Sequence, residues 1–277
     1  LIYFNGCSFT NGYELNRKME SRFSSLVTQE FNQIEYNHAK VGGSNDRIWR
    51  TTLNGCIKYT PKLAIIMWSG VNRQEYLAEG GFFTKDLVIA GEPGYDIKGN
   101  RPDFREAAPR WRQSNWKDFK MSNHTLKIGE ASNLGKDPDQ TIEHYDTLNA
   151  YAKYIRTVRW NLKSTIAYML STKYFLEARN IPYLFYLFSA GQYKPFLYLL
   201  DEFYLEAANN VWASLELSKK QILKDLPVLK TDGFYDIVKK AKLPIGKKDH
   251  PLEEGHRLMA DIIIKDIKKY EYDKKLY

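Results

Sequence analysis

Leu1-Ile2-Tyr3-Phe4-Asn5-Gly6-Cys7-Ser8-Phe9-Thr10-Asn11 opens the chain, and its two halves behave differently. The apolar run Leu1 to Phe4 reads as a buried strand. Gly6-Cys7-Ser8-Phe9 reads as a Gly-containing turn that sets Ser8 just past the strand end. In open α/β sheets that edge faces the cleft where ligands bind, and a serine there can aim its hydroxyl into it. Gly-x-Ser alone occurs in many turns, so its weight depends on the segments further along the chain.

Working outward, residues 1–75 alternate strand and helix patterns. Ser21 to Phe31 places Phe23, Leu26, Val27 and Phe31 at helical spacing, with Ser21 as N-cap. Ile34-Glu35-Tyr36 reads as a short strand ending at Asn37, and Asp46 to Ile57 as a second helix. Leu63-Ala64-Ile65-Ile66-Met67-Trp68 is a continuous apolar run, the pattern of a central parallel strand. This rhythm predicts a three-layer α/β/α (flavodoxin-like) fold with a central parallel sheet. Between Leu77 and Gln140 the pattern breaks at repeated Gly and Pro, which predicts an insertion or lid within one domain spanning 1–277. Thr141 to Ala178 reads as helix, Ile181 to Phe188 as another buried strand, and Pro195 to Leu217 as helix. The last helix runs from Glu253 to Tyr270, with Leu258, Met259, Ile262, Ile263 and Ile267 on its buried face.

The 277 residues suffice for one sizeable core. No segment reaches the ~20 apolar residues of a membrane span, and the first strand lacks the basic leader and small-residue cleavage site of a signal peptide. A cytoplasmic protein is therefore expected. The two cysteines, Cys7 and Cys56, make no disulfide framework and read as reduced thiols. No Cys/His cluster has zinc spacing, so neither a metal nor a cofactor is expected. The net charge of +8 is spread among acidic residues. Its densest stretch, Lys98 to Lys120, reads as a solvated basic loop rather than a nucleic-acid surface.

Four points fall at or near strand ends: Ser8, the Gly42-Gly43-Ser44-Asn45 stretch, Ser69-Gly70-Val71-Asn72, and Asp249-His250-Pro251. In a parallel sheet these ends share one edge. A serine hydroxyl needs a base to take its proton, and His250 is the candidate. Acyl transfer passes through an oxyanion. The backbone N–H groups of Ser8 and Gly42 and the side-chain amide of Asn72 can supply donors. Tyr13 and Glu14, just past the serine, are expected to line the cleft, and His256 to pack or cap.

In these blocks the chain resembles the SGNH hydrolases of the GDSL esterase/lipase superfamily. Gly6-Cys7-Ser8-Phe9 matches the first block, with Cys7 where the family usually has Asp. Asn37-His38-Ala39-Lys40-Val41-Gly42 matches the second and makes Gly42 the oxyanion glycine, with Gly43 as second choice. Gly70-Val71-Asn72 matches the third, and Asp249-His250-Pro251 the fourth. The resemblance spans the chain apart from the 77–140 insertion. It departs at one point: the family carries its acid three residues before the histidine, where this chain has Lys247. Asp249, Asp232, Asp236 or a backbone carbonyl remain to orient His250.

The resemblance implies a serine esterase acting through an acyl-enzyme on small acyl esters, acetyl foremost. Its expected partner is an acylated carbohydrate or other small polar ester. The alternative is a catalytically weak or inactive binding or structural protein of the same fold within a larger assembly.

Overall fold

The computed structural model describes residues 1–71, 73–75, 125–127, 158–193, 197, 204–206, 214–216 and 218–276. Its centre is a four-stranded parallel sheet of β1 (Ile2–Asn5), β2 (Glu35–Asn37), β3 (Leu63–Trp68) and β6 (Tyr183–Leu187), in the order β2-β1-β3-β6. Two short antiparallel pairs accompany it: β4 (Arg73–Glu75) with β5 (Thr125–Lys127), and β7 (Tyr204–Glu206) with β8 (Ser214–Glu216). Among the described residues the α-helices are α1 (Ser8–Asn11), α2 (Lys18–Ser21), α3 (Phe23–Glu30), α4 (Asn45–Tyr59), α5 (Val158–Ala178), α6 (Lys219–Asp225), α7 (Phe234–Lys240), α8 (Glu253–Lys269) and α9 (Asp273–Leu276).

The period-2 alternation of the strands divides the core into two layers. Tyr3, Ala64, Ile66 and Trp68 point to one face, where they meet Ile48 and Cys56 of α4 and Leu162, Ile166 and Met169 of α5. Ile2, Phe4, Leu63, Ile65 and Met67 point to the other, against Phe23 and Val27 of α3, Phe234 of α7, and Met259 and Ile263 of α8. All six residues of β3 are buried, as a strand covered on both faces must be. The chain is thus a three-layer α/β/α protein, as its strand and helix rhythm predicts.

The differences from sequence expectation have local causes. The helix expected over Ser21 to Phe31 is broken in two, with Ser21 ending α2 and Arg22 as the N-cap of α3. Arg22 offers no side-chain cap. The Phe23 N–H instead donates to Nδ1 of His256, 3.2 Å away on α8. Within the helix expected over 195–217, residues 204–206 and 214–216 are instead the strands β7 and β8. The 77–140 insertion lies outside the described residues except for Thr125–Lys127. Among the described residues no helix is long and apolar enough to cross a membrane.

His256 packs and caps, as expected. Its ring is fully buried and stacks on Phe23 with centroids 5.8 Å apart. Because Nδ1 accepts a hydrogen bond, the ring proton sits on Nε2, which finds no partner among the described residues. Burial, reinforced by the neighbouring His250 and Arg22, pulls its pKa down to about 3. The folded protein therefore keeps His256 neutral where the unfolded chain protonates it. This contribution to stability is whole above the ordinary histidine pKa of about 6.5 and is lost as pH falls toward 3. Denaturant unfolding should show stability falling by up to ~1.4 kcal/mol per pH unit from this group across that window. His256→Gln should flatten that part of the curve, and an unchanged slope would contradict the assignment.

Candidate functional site

Ser8 is the first residue of α1, directly after β1, with Cys7 as N-cap in an extended conformation. The turn places its hydroxyl at the carboxyl end of the sheet. Its backbone N–H lies in the first turn of a helix, where N–H groups have no intrahelical acceptor. Gly12 closes the helix in the left-handed region at φ +77°, and the chain then turns back through Tyr13 and Glu14.

His250 reaches the same point from the far end of the sequence. Its Nε2 stands 2.7 Å from Ser8 Oγ, and its Nδ1 stands 3.0 Å from Glu14 Oε2. The carboxylate can only accept, so Nδ1 carries the proton and the Nε2 lone pair faces the serine hydroxyl. Ser8 is 2% exposed and His250 8%, while the Glu14 side chain at the far end keeps 17% exposure. The Phe9 ring packs on the imidazole at 5.3 Å and the Tyr13 ring at 5.0 Å, fixing its plane. Lys248 Nζ donates to the Tyr13 hydroxyl at 2.8 Å, so a cation borders the site one ring away from the histidine.

Glu14 also holds the loop that carries His250. Its two carboxylate oxygens accept from the Lys248 N–H at 3.0 Å, and Oε2 lies 3.4 Å from the His250 N–H. The loop closes on itself through the Gly246 N–H to the His250 carbonyl at 2.8 Å and the bridge between Ile245 and Pro251. A Cβ at Gly246 would lie 2.8 Å from the Glu14 carboxylate, so a side chain there would push that carboxylate from its place.

The carboxylate at His250 is therefore not that of Asp249. Asp249 sits in the left-handed region at φ +62°, and its carboxylate meets the Tyr235 hydroxyl at 3.4 Å. Adjacent residues in this tight turn send their side chains apart, and His250 takes the inward position. The other two candidates serve elsewhere. Asp232 pairs with Lys240 at 2.6 Å. Asp236 accepts the Ala190 N–H at 2.6 Å and the Gly233 N–H at 3.1 Å, tying the end of β6 to the start of α7. The expectation that Glu14 lines the cleft understated its place. The signal lay in the sequence as a carboxylate six residues past the serine, just after a glycine able to reverse the chain.

Gly42 occupies the left-handed region at φ +75°, which favours glycine. The loop around it is pinned to the serine turn, because the Lys40 N–H donates to the Gly6 carbonyl at 3.2 Å and the Gly43 N–H to the Lys40 carbonyl at 3.0 Å. With the Gly43 N–H so engaged, Gly42 is the better placed of the two glycines to donate outward. Asn72 lies outside the described residues. The segment leading to it is anchored by Asn45, a residue that sequence reasoning left unassigned. Asn45 is buried; its Oδ1 accepts the Ser69 N–H at 2.7 Å and its Nδ2 donates to the Ser69 carbonyl at 3.1 Å. The Tyr193 hydroxyl donates to the same carbonyl.

Neither a family model nor a curated protein matches the chain. Among solved structures it is similar to the psychrotrophic esterase EstA from Pseudoalteromonas sp., in a form inhibited by monoethylphosphonate. The two share 13% identity over 97% of each chain, with a TM-score of 0.46. A likeness that distant transfers no residue's role from one chain to the other.

Removing the Glu14 carboxylate leaves the Lys248 N–H and the imidazole without their acceptor. Glu14→Ala should cost roughly 1–3 kcal/mol of stability in denaturant unfolding. It should also speed amide exchange at Lys248. Unchanged exchange there would mean that Glu14 does not hold the loop.

Proposed function

We propose that the protein is a serine esterase of the SGNH type that hydrolyses small acyl esters through an acyl-enzyme. The observation that carries this reading is the continuous hydrogen-bonded chain from Ser8 Oγ through both ring nitrogens of His250 to Glu14. A hydroxyl is a weak nucleophile until a base stands against it, and 2.7 Å is within the reach that general-base catalysis requires.

Ser8 Oγ attacks the ester carbonyl while His250 Nε2 takes its proton. Glu14 keeps the proton on Nδ1 and stabilises the imidazolium that forms. Charge gathers on the carbonyl oxygen of the tetrahedral intermediate. The N–H groups of Ser8 and Gly42 and the Asn72 amide are the donors assigned to it, each worth roughly 3–4 kcal/mol of barrier. The intermediate collapses when His250 returns the proton to the departing alcohol. Water, deprotonated by the same nitrogen, then cleaves the acyl-serine and regenerates the hydroxyl.

The polar rim favours a small acyl group, acetyl foremost, on a carbohydrate or other polar alcohol. Lys248 and the Tyr13 hydroxyl border the imidazole where a lipid-cleaving enzyme would present apolar surface. The rival reading, an inactive scaffold of the same fold, draws on the lack of an acid three residues before His250 and on the long 77–140 insertion. Glu14 at Nδ1 speaks against the first ground, and the insertion lies outside the described residues except for Thr125–Lys127.

Ser8→Ala should abolish hydrolysis of p-nitrophenyl acetate, and equal turnover by the two proteins would refute the proposal. Glu14→Gln should lower kcat by roughly 10³–10⁴-fold, the scale on which a misoriented imidazole costs a serine hydrolase. Asp249→Asn should leave kcat within about twofold, since its carboxylate lies on Tyr235. A larger loss at Asp249 than at Glu14 would reverse the assignment of the acid.

A further inference from the structure

Polar contacts from three segments of the site converge on the start of α4. At the end of β1, Asn5 Nδ2 donates to the Ile48 carbonyl at 3.0 Å and to the Thr52 hydroxyl at 2.9 Å. Its Oδ1 accepts the N–H of Gly6, in the turn that leads to Ser8, at 2.9 Å. Just past β2, the His38 carbonyl accepts from both terminal nitrogens of Arg47 at 3.2 Å, where the loop to Gly42 begins. Asn45, the first residue of α4, brackets the end of β3. Its Oδ1 accepts the Ser69 N–H at 2.7 Å, and its Nδ2 donates to the Ser69 carbonyl at 3.1 Å. The same Nδ2 lies 3.4 Å from the Gly70 carbonyl, on the way to Asn72.

Asn5, Asn45 and Arg47 are all buried, and a buried polar side chain is held where its partners are. An apolar residue could fill the space of either asparagine, but it would fix no register between the helix and a strand end. Ile48 and Cys56 pack α4 onto the sheet and set its height above it. The polar contacts set its position along the sheet. β1, β3 and the Gly42 loop are thus all referred to one helical turn.

We propose that the first turn of α4 sets the spacing of the oxyanion donors, with Asn45 and Arg47 as positioning residues that act on the reaction without touching the substrate. The inference rests on the esterase reading above. An oxyanion hole requires its donors to stand about 2.7–3.1 Å from the developing charge. A misplacement of ~1 Å, even by a change far from the chemistry, can cost ~100-fold in rate. Ser8 follows the turn that Asn5 holds, Gly42 follows the carbonyl that Arg47 holds, and Asn72 follows the segment that Asn45 holds.

The test compares Asn45→Ser, Arg47→Lys and Cys56→Ala in the full chain. Serine is too short to bracket Ser69, and lysine keeps the charge of Arg47 without its paired donors. Cys56 is buried in the same helix, ~16 Å along its axis from Asn45, so Cys56→Ala reports what loosening α4 does by itself. Amide exchange should quicken by roughly tenfold or more at Ser69 in Asn45→Ser, and at Lys40 and Gly43 in Arg47→Lys. With p-nitrophenyl acetate, kcat/KM should fall by roughly tenfold or more in both. Affinity for a trifluoromethyl ketone, which forms a tetrahedral adduct, should fall by the same factor. The pH profile should keep its shape, because the hydrogen-bonded chain from Ser8 to Glu14 is untouched. Cys56→Ala should hold kcat/KM within about twofold of the wild type. Wild-type exchange at those amides, or wild-type ketone affinity, in a folded Asn45 or Arg47 variant would overturn the proposal. An equal loss of activity in Cys56→Ala would do the same. If Asn45→Ser does not fold, Arg47→Lys decides alone. A wild-type protein without turnover would refute the esterase reading instead, and the exchange rates would still decide whether α4 holds the loops.

Discussion

The Glu14 carboxylate is the contact on which the arrangement at the sheet edge depends. It accepts from the His250 ring and from the Lys248 N–H, and it lies within reach of the His250 N–H. A carboxylate that accepts several hydrogen bonds at once fixes direction as well as distance. It thereby joins a turn near the start of the chain to a loop near its end. The contacts of Ser8, Phe9 and Tyr13 with His250 and Lys248 join the same two segments. Gly246 leaves room for it, because a side chain there would displace the carboxylate.

The sheet supplies the fixed frame for that clamp. β1 and β3 are buried throughout, so the residues just past their ends have little freedom. Ser8 begins a helix at the end of β1, and Asn45 and Tyr193 hold Ser69 at the end of β3. The loop bearing Gly42 is tied to the Gly6 carbonyl, just ahead of the serine. Rigid strands thus set the positions of the three short segments that carry Ser8, Gly42 and Ser69.

Most of the fold was legible because apolar periodicity records burial. Leu63 to Trp68 has the continuous apolar pattern of a strand covered on both faces, and α4 and α8 show helical spacing. The break between α2 and α3 was not legible, because the cap of α3 comes from His256, a residue at the far end of the sequence. The strand pair at β7 and β8 was missed because three-residue strands are too short to display a period. At the site, Ser8 and His250 could be read because strand-end turns constrain what they present. The carboxylate at His250 was missed because spacing was counted from the histidine and not from the serine. Asp249 is next to the histidine in sequence, but its left-handed backbone turns the carboxylate toward Tyr235. Glu14 is adjacent only after Gly12 reverses the chain.

The most direct test of the Ser8–His250–Glu14 assembly is covalent capture by a fluorophosphonate, with the adduct located by peptide mass mapping. The reagent reports a serine whose proton a neighbouring base can take, whatever the natural ester is. One adduct per chain is expected, on Ser8, with its loss in His250→Ala. Absence of an adduct on the folded wild-type protein, or an adduct on any other residue, would contradict the assembly.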